Sequence, residues 1–380
     1  MKTEIFDKKK KPYTKNEIFG QPQLWEQVYA RMVEQKMDIH IFFESILKKN
    51  DLRIILTGAG SSAFIGEAAK GFVQKATGKI TQAIATTDIV TQPELFFLKG
   101  MPTLLISFAR SGSSPESLEA IALADRYCDE VFHLIITCNK DGELAHYSSN
   151  KPKSVYCLVL PEASNDKSLA MTGSFTSMLL SVLLAFDIEN IENKKKSIDD
   201  MIAQGQQLLK KSKTIAQIAS KIFDRVVFLG SGPMLGIARE CHLKLQELTD
   251  GQIICKHDSF LGFRHGPRAV VNDKTLMVYL FSEDVHTFKY EKDLVLSISQ
   301  DPRNIPSIGL DPPRKLDVGS YRSIALEKSD CNGLKIVVAT ILGQLLGYYK
   351  SLQLGLNPDN PSVSGAISRV VQGVTIYPKE

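Results

Sequence analysis

Apolar and polar positions along the chain follow two rhythms. Between 22 and 48, Leu24, Val28, Met32 and Val33, then Ile39, Phe42, Phe43 and Ile46, recur at helical spacing. The run Arg53 to Thr57 reads as a buried strand, Gly58 and Gly60 break it, and Ser61 and Ser62 open an apolar-periodic helix. Residues 103 to 127 repeat the sequence of strand, Ser/Gly loop and helix, with Pro115 just inside the helix start. Further strands are expected at 131–139 and 154–160, and an apolar helix at 168–186. Strands alternating with helices predict a parallel sheet covered on both faces. Residues 187–222 are charged and helix-prone, as a linker helix would be. From 225 the pattern returns: RVVFLGSGPMLGIAREC aligns with RIILTGAGSSAFIGEAA at 53–69, an internal repeat. LMVYLF at 276–281 supplies another strand, and the chain closes on a turn-rich tail with a strand-like VTIY. The reading is two similar α/β domains.

Composition narrows the classes. A chain of 380 residues, 43% hydrophobic and 23% charged, has the balance of a globular protein large enough to need no disulfide or metal staple. Lys+Arg of 46 against Asp+Glu of 42 leaves +4, too small an excess to point to nucleic acid. Lys8 to Lys11 reads as a solvated arm. No apolar run approaches the ~20 residues of a membrane span, and no apolar stretch follows the charges of the N-terminus, so the expected location is the cytoplasm. The six cysteines form no CxxC pair and have no histidine at metal-ligand spacing; no metal and no cofactor is expected.

The loop Ser107-Phe-Ala-Arg-Ser-Gly-Ser-Ser-Pro-Glu116 carries the most chemistry. Arg110, Ser111, Ser113 and Ser114 surround Gly112 at a helix start, and Ser61 and Ser62 follow a neighbouring strand. Hydroxyls and orphan backbone N–H groups at helix N-termini suit a phosphate monoester. Two such loops at the carboxyl ends of strands converge in a doubly wound sheet. The competing reading is an ordinary serine N-cap followed by proline. No nucleotide P-loop is present, and the glycines of GSGPMLG (230–236) lack a ribose-binding acid.

TGAGSSAFIGEA and SFARSGSSPES resemble the phosphosugar-binding loops of sugar isomerase (SIS) domains. LGSGPMLGIARECHLKLQELTDG and GFRHGP resemble the second SIS domain of the isomerase half of glucosamine-6-phosphate synthase. With two such domains and no glutaminase domain, the chain looks like the tagatose-6-phosphate ketose/aldose isomerase group, associated with galactosamine-6-phosphate deamination. The resemblance implies two tandem SIS domains, each a doubly wound, flavodoxin-like sheet. They would span 49–190 and 223–356, with an N-terminal arm and helix at 1–48, a linker helix at 191–222 and a tail at 357–380 closing on the active site. It implies a phosphorylated sugar as substrate and a homodimer or higher homo-oligomer, with no nucleic-acid or membrane partner.

Glu247, in the matching LKLQE, becomes the carboxylate that moves a proton between C1 and C2. His265, in FRHGP, becomes the ring-opening imidazole, reaching the site from its own or a neighbouring subunit. Gly60, Ser168, Thr172 and Gln372 are expected along the sugar, with N-capping the alternative for Ser168 and Thr172. His257-Asp258 is held as a further polar pair. Two departures stand out. The synthase's tail lysine is absent, Gln372 being the nearest matching position and Arg369 three residues earlier. Gly262 replaces the carboxylate before the histidine motif. The expected reaction is deamination of galactosamine 6-phosphate to tagatose 6-phosphate, with plain ketose/aldose isomerisation and non-catalytic phosphosugar sensing as alternatives.

Overall fold

The computed structural model describes residues 12–147, 154–316, 318–319, 321–327, 331, 333–371 and 373–377; Lys8 to Lys11 and Gln372 lie outside them. Ten strands make two sheets. The first holds β1 (Arg53–Thr57), β2 (Thr81–Ala83), β3 (Thr103–Ala109), β4 (Val131–Thr137) and β5 (Val155–Val159). The second holds β6 (Arg225–Gly230), β7 (Ile254–Asp258), β8 (Thr275–Leu280), β9 (Ser307–Leu310) and β10 (Tyr321–Ile324). The spatial orders are β2-β1-β3-β4-β5 and β7-β6-β8-β9-β10, and every pairing is parallel. The two orders are the same, so the repeat seen in the sequence is a repeat of topology. Every residue of β1, β3, β8 and β9 is buried, which is why these segments read as continuous apolar runs.

The conformation repeats down to single residues. Gly60 has φ 54°, ψ −126°, and Gly232, at the same place in the second copy, has φ 53°, ψ −124°. Essentially only glycine tolerates that region, and it turns each strand abruptly into its helix. The helices that follow, Ser61–Thr77 and Pro233–Leu248, pack against each other. A Cβ on Gly236 would lie 2.7 Å from Ala68 Cα, so backbone touches backbone there. Arg239 Nη1 is 3.0 Å from Glu67 Oε1, and these two residues hold equivalent places in the two copies. One hydrophobic cluster therefore runs from Ile54 and Leu56 through Ile65 and Ala68 to Ile237 and Phe228, while each sheet's outer face has a core of its own.

Several sequence expectations shift in detail. The helix expected over 22–48 breaks at Gln35 into Gln21–Glu34 and Lys36–Ile46, and a further helix, Tyr13–Phe19, precedes them. The apolar helix starts at Gly173 and not 168, because the Asp166 carboxylate takes the N–H groups of Thr172, Gly173 and Ser174. The linker helix is two helices, Lys195–Lys210 and Ser212–Ala219. VTIY is not a strand: residues 373–377 are irregular and pair with neither sheet. Among the described residues no helix is long and apolar enough to cross a membrane.

The helix crossing can be checked. Gly236→Ala should lower the unfolding free energy by about 1–3 kcal/mol, because the new methyl meets backbone. Gly71→Ala, on the exposed side of Ser61–Thr77 with nothing within 4 Å of its added Cβ, should instead gain about 0.5–1 kcal/mol. Chemical denaturation of the two variants tests both signs.

Candidate active site

The serine loop after β3 is held open from behind. Ser111 O accepts from Asn139 Nδ2 at 2.8 Å, Gly112 O accepts from Leu144 N at 2.9 Å, and Ser113 Oγ accepts from Glu143 N at 3.2 Å. Ser114 Oγ donates to Ser117 Oγ at 2.7 Å. None of these hydroxyls caps the helix Pro115–Tyr127. The helix from Ser61 likewise has no side-chain cap, and Ser61 and Ser62 are buried beside it. Two helix N-termini thus keep their first-turn N–H groups free of a chain carboxylate, which is the arrangement an external anion needs. The ordinary N-cap alternative does not describe either loop.

Three further hydroxyls, not among the expected site residues, stand near the same edge. Thr57 and Ser107 face each other in register on β1 and β3, and Thr86 N donates to Gly58 O at 2.9 Å. The side-chain oxygens of Thr57, Thr86 and Ser107 are buried without a hydrogen-bond partner among the described residues. Buried unpaired hydroxyls cost about 1–3 kcal/mol each, so a polar ligand in this crevice has groups waiting for it. Their only sequence signal is a polar residue at or near the end of an apolar strand.

The second copy contributes charge. Glu240, Lys244 and Glu247 share one face of the helix Pro233–Leu248. Lys244 Nζ is 2.5 Å from Glu247 Oε2 and 3.6 Å from Glu240 Oε1. The side chains of Glu240 and Lys244 are 0% and 1% exposed, whereas Glu247 keeps 23%. Glu247 is therefore the member of the three that a substrate can touch. Burial, reinforced by the Glu247 charge, pushes the Glu240 carboxyl up to about 8, with Lys244 and the Ser61 hydroxyl acting the other way. Burial alone would lower the Lys244 ammonium; the two carboxylates override it and raise its pKa. Ser61 beside Glu240 brings a loop of the first copy onto the helix of the second. The charge of Glu247 also reaches Arg110.

Arg110, expected at the phosphate, donates to backbone carbonyls beside the serines. Its guanidinium is buried and donates to Leu169 O at 3.0 Å, to Ser168 O at 3.4 Å and to Arg369 O. Arg369 in turn donates to Asp166 O at 2.8 Å through Nε and to Asn165 Oδ1 at 2.8 Å through Nη2. The two arginines clasp the 165–169 loop and the tail beside the serines. Ser168 and Thr172 spend their hydroxyls inside the chain: Ser168 Oγ donates to Glu17, and Thr172 Oγ1 donates to Asp166 Oδ1 at 3.0 Å. Both are buried, and neither hydroxyl caps the helix Gly173–Ala185, whose first N–H groups go to Asp166. Gly60 is exposed at the mouth of its loop.

His265 is exposed, and its ring has no hydrogen-bond or ion-pair partner among the described residues; nothing within the chain joins it to Glu247. His257 and Asp258 are consecutive on β7 and point to opposite faces, so they are not a pair. His257 Nδ1 lies 3.1 Å from His242 Nδ1, and burial with the neighbouring His242 lowers its pKa to about 4. Asp258 instead takes the Ser259 N–H at 2.8 Å. Among the described residues no three His, Cys, Asp or Glu side chains could hold a metal ion.

Comparison with known proteins now decides the family. Over 96% of this chain and 92% of its own length, the D-galactosamine-6-phosphate deaminase AgaS of Shewanella sp. is 39% identical to it. The chain belongs to the AgaS family of SIS-domain proteins. Residues 46–187 match the SIS domain. The D-galactosamine-6-phosphate deaminase AgaS of Escherichia coli is 36% identical over 96% of both chains. The crystal structure of tagatose-6-phosphate ketose/aldose isomerase from Escherichia coli superposes with a TM-score of 0.88 at 34% identity, covering 96% of each chain. The C-terminal domain of glucosamine-fructose-6-phosphate aminotransferase from Francisella tularensis, 20% identical with a TM-score of 0.76, shares the fold.

The charge on Glu240 sets a pH signature. Its folded-state pKa stands above the ordinary 4.5, so between about pH 5 and 8 the unfolded chain releases a proton that the folded chain keeps. Stability is then lost as pH rises through that window. Glu240→Gln, of the same shape and without the proton, should remove this part of the slope. Thermal melts from pH 5 to 9 measure it; parallel curves for the two proteins would place an ionised Glu240 in the fold.

Proposed function

We propose that this chain deaminates galactosamine 6-phosphate to tagatose 6-phosphate and ammonia. The observation that carries the reading is the meeting of two half-sites: uncapped serine loops from the first copy and the Lys244–Glu247 pair from the second. Ser61, Ser62, Ser111, Ser113 and Ser114 hold the phosphate with their hydroxyls and the N–H groups behind them. Gly60 lets the backbone approach the sugar. Anchored at the phosphate, C1 and C2 of the open chain lie against Glu247, and the remote binding energy is spent on that positioning.

Glu247 takes the C2 proton as the C1 aldehyde becomes an enol, giving an enolamine. It returns the proton to C1, which leaves a C2 ketimine. Water adds to C2, the C–N bond breaks, and ammonia departs from tagatose 6-phosphate. Lys244 orients the carboxylate throughout. His265 serves ring opening, and its exposed ring, which has no partner among the described residues, suits delivery by a neighbouring subunit of a homo-oligomer. Full-length likeness to deaminases supports this reading. The likeness to a ketose/aldose isomerase favours the second reading, in which the same proton transfer proceeds with no amine lost.

Incubation with galactosamine 6-phosphate should release ammonia, faster than with glucosamine 6-phosphate. Glu247→Gln should lower kcat by about 10²–10⁴ with little change in KM, as loss of a general base does. Interconversion of galactose and tagatose 6-phosphates without ammonia from either aminosugar would establish the isomerase in its place. An equal mixture of Glu247→Gln and His265→Asn chains should regain activity that neither has alone; no recovery would put His265 in its own subunit's site.

A further inference from the structure

The second sheet has its own crevice at the carboxyl edge, between the loops after β6 and β8. It corresponds to the crevice between β1 and β3 where the serine loops lie. The strand order, the tight Gly232 turn and the helix starts are retained. The hydroxyls are not: Pro233 and Met234 stand where Ser61 and Ser62 stand in the first copy. In this crevice lies a buried carboxylate, Glu291, carried on the helix Val285–Ser299. Its Oε2 accepts from Ser282 N, just after β8, at 3.0 Å. Burial holds the Glu291 carboxyl above the ordinary carboxylate range, while the facing Ser231 hydroxyl, just after β6, the Ser282 N–H and the buried Lys335 ammonium act the other way and favour its charge. Its Oε1 is buried with no hydrogen-bond partner among the described residues. Lys335 itself is tied to Asp311, at 2.9 Å from Oδ2.

We propose that Glu291 is a built-in anion that fills the second copy's counterpart of the phosphate site, so that each chain takes one sugar phosphate, at the serine loops alone. The inference rests on the phosphate role of the serine loops given above. Its physical basis is position: the carboxylate touches both loops of a topological switch point, where an open α/β sheet receives its ligand. A mobile phosphate would have to displace a covalently tethered group that is already bonded to the loop N–H. The tether gives that group a high effective concentration.

Glu291→Ala removes a fragment of the size and charge of acetate. The melting temperature of this variant should fall and then rise by several degrees with millimolar acetate or inorganic phosphate, beyond the response of the wild type, while chloride at matched ionic strength does nothing. Glu291→Gln keeps the space filled and should show only the wild-type response. Absence of an anion-specific gain in Glu291→Ala would overturn the proposal, as would a second phosphate gained by Glu291→Gln.

If Glu291→Ala does not fold under any condition, phosphate stoichiometry decides. The wild type should bind one equivalent of inorganic phosphate per chain, and the Ser111→Ala/Ser113→Ala double variant none. An equivalent still bound by the double variant would place an open site in the second copy. A wild type that binds no phosphate at all would sink the phosphate role of the serine loops, and with it the proposal; where Glu291→Ala does fold, its acetate response tests Glu291 independently of that role.

Discussion

The contact on which the rest of this structure depends is the crossing of two helices where Gly236 meets the backbone of Ala68. Glycine at that point lets the helices touch, and the Glu67–Arg239 pair fixes their register. Because the helices follow equivalent strands, the crossing relates the two copies by an approximate two-fold. It also sets the carboxyl edge of the first sheet beside the second copy's helix. Ser61 can then neighbour Glu240, and the serine loops can share one site with Glu247. Without the close approach the two halves of the chemistry would belong to different surfaces.

Given that frame, the copies differ in how they treat the positive end of a helix. A helix start attracts anions, and the fold has several near one another. Asp166 supplies a carboxylate to Gly173–Ala185, Asp284 supplies one to Val285–Ser299, and Glu291 lies in the second crevice. The helices that begin at Ser61 and Pro115 receive none from their own side chains. Among the described residues the helices that begin at Pro233 and Lys335 likewise have no side-chain cap, but only the two in the first copy start beside a cluster of serines. On the acid–base side the asymmetry is reversed. Glu240, Lys244 and Glu247 have Ala68, Phe72 and Lys75 as their first-copy counterparts. One site per chain follows, built half from each copy.

Much of this was legible in the residues. Apolar runs broken by Gly-x-Gly marked β1 and β6, and their repetition marked the duplication. The serine cluster around Gly112 pointed to an anion because three hydroxyls exceed what one cap needs. Glu247 was found through the LKLQE resemblance, but its partners were not. Glu240, Lys244 and Glu247 have the i, i+4, i+7 spacing of any solvated helix face, and only tertiary packing shows that two of them are buried. The surroundings of Arg110 were hidden for a related reason: a sequence shows that a guanidinium is near the serines, not that it also donates to carbonyls of 168, 169 and 369. β2, β9 and β10 are only three or four residues long, too short for periodicity to announce them. VTIY has strand composition but joins neither sheet, and composition alone does not fix a pairing partner.

The charge state of the buried trio bears on which of its groups can accept a proton. With Glu240 protonated at neutral pH, Lys244 and Glu247 form a single compensated pair, and the helix face carries no net charge into the site. Burying a lone ion would cost several kcal/mol, and burying a well-bonded pair costs far less. A neutral second carboxyl beside the pair leaves Glu247 as the one carboxylate of the trio able to take up a proton. On the proposed mechanism the proton taken from C2 then has no second acceptor within the trio, and it returns to C1. The arginine clasp at 369 suits the same division of labour: it holds the tail and the 165–169 loop in place by hydrogen bonds to carbonyls, and it leaves the chemistry to the helix face.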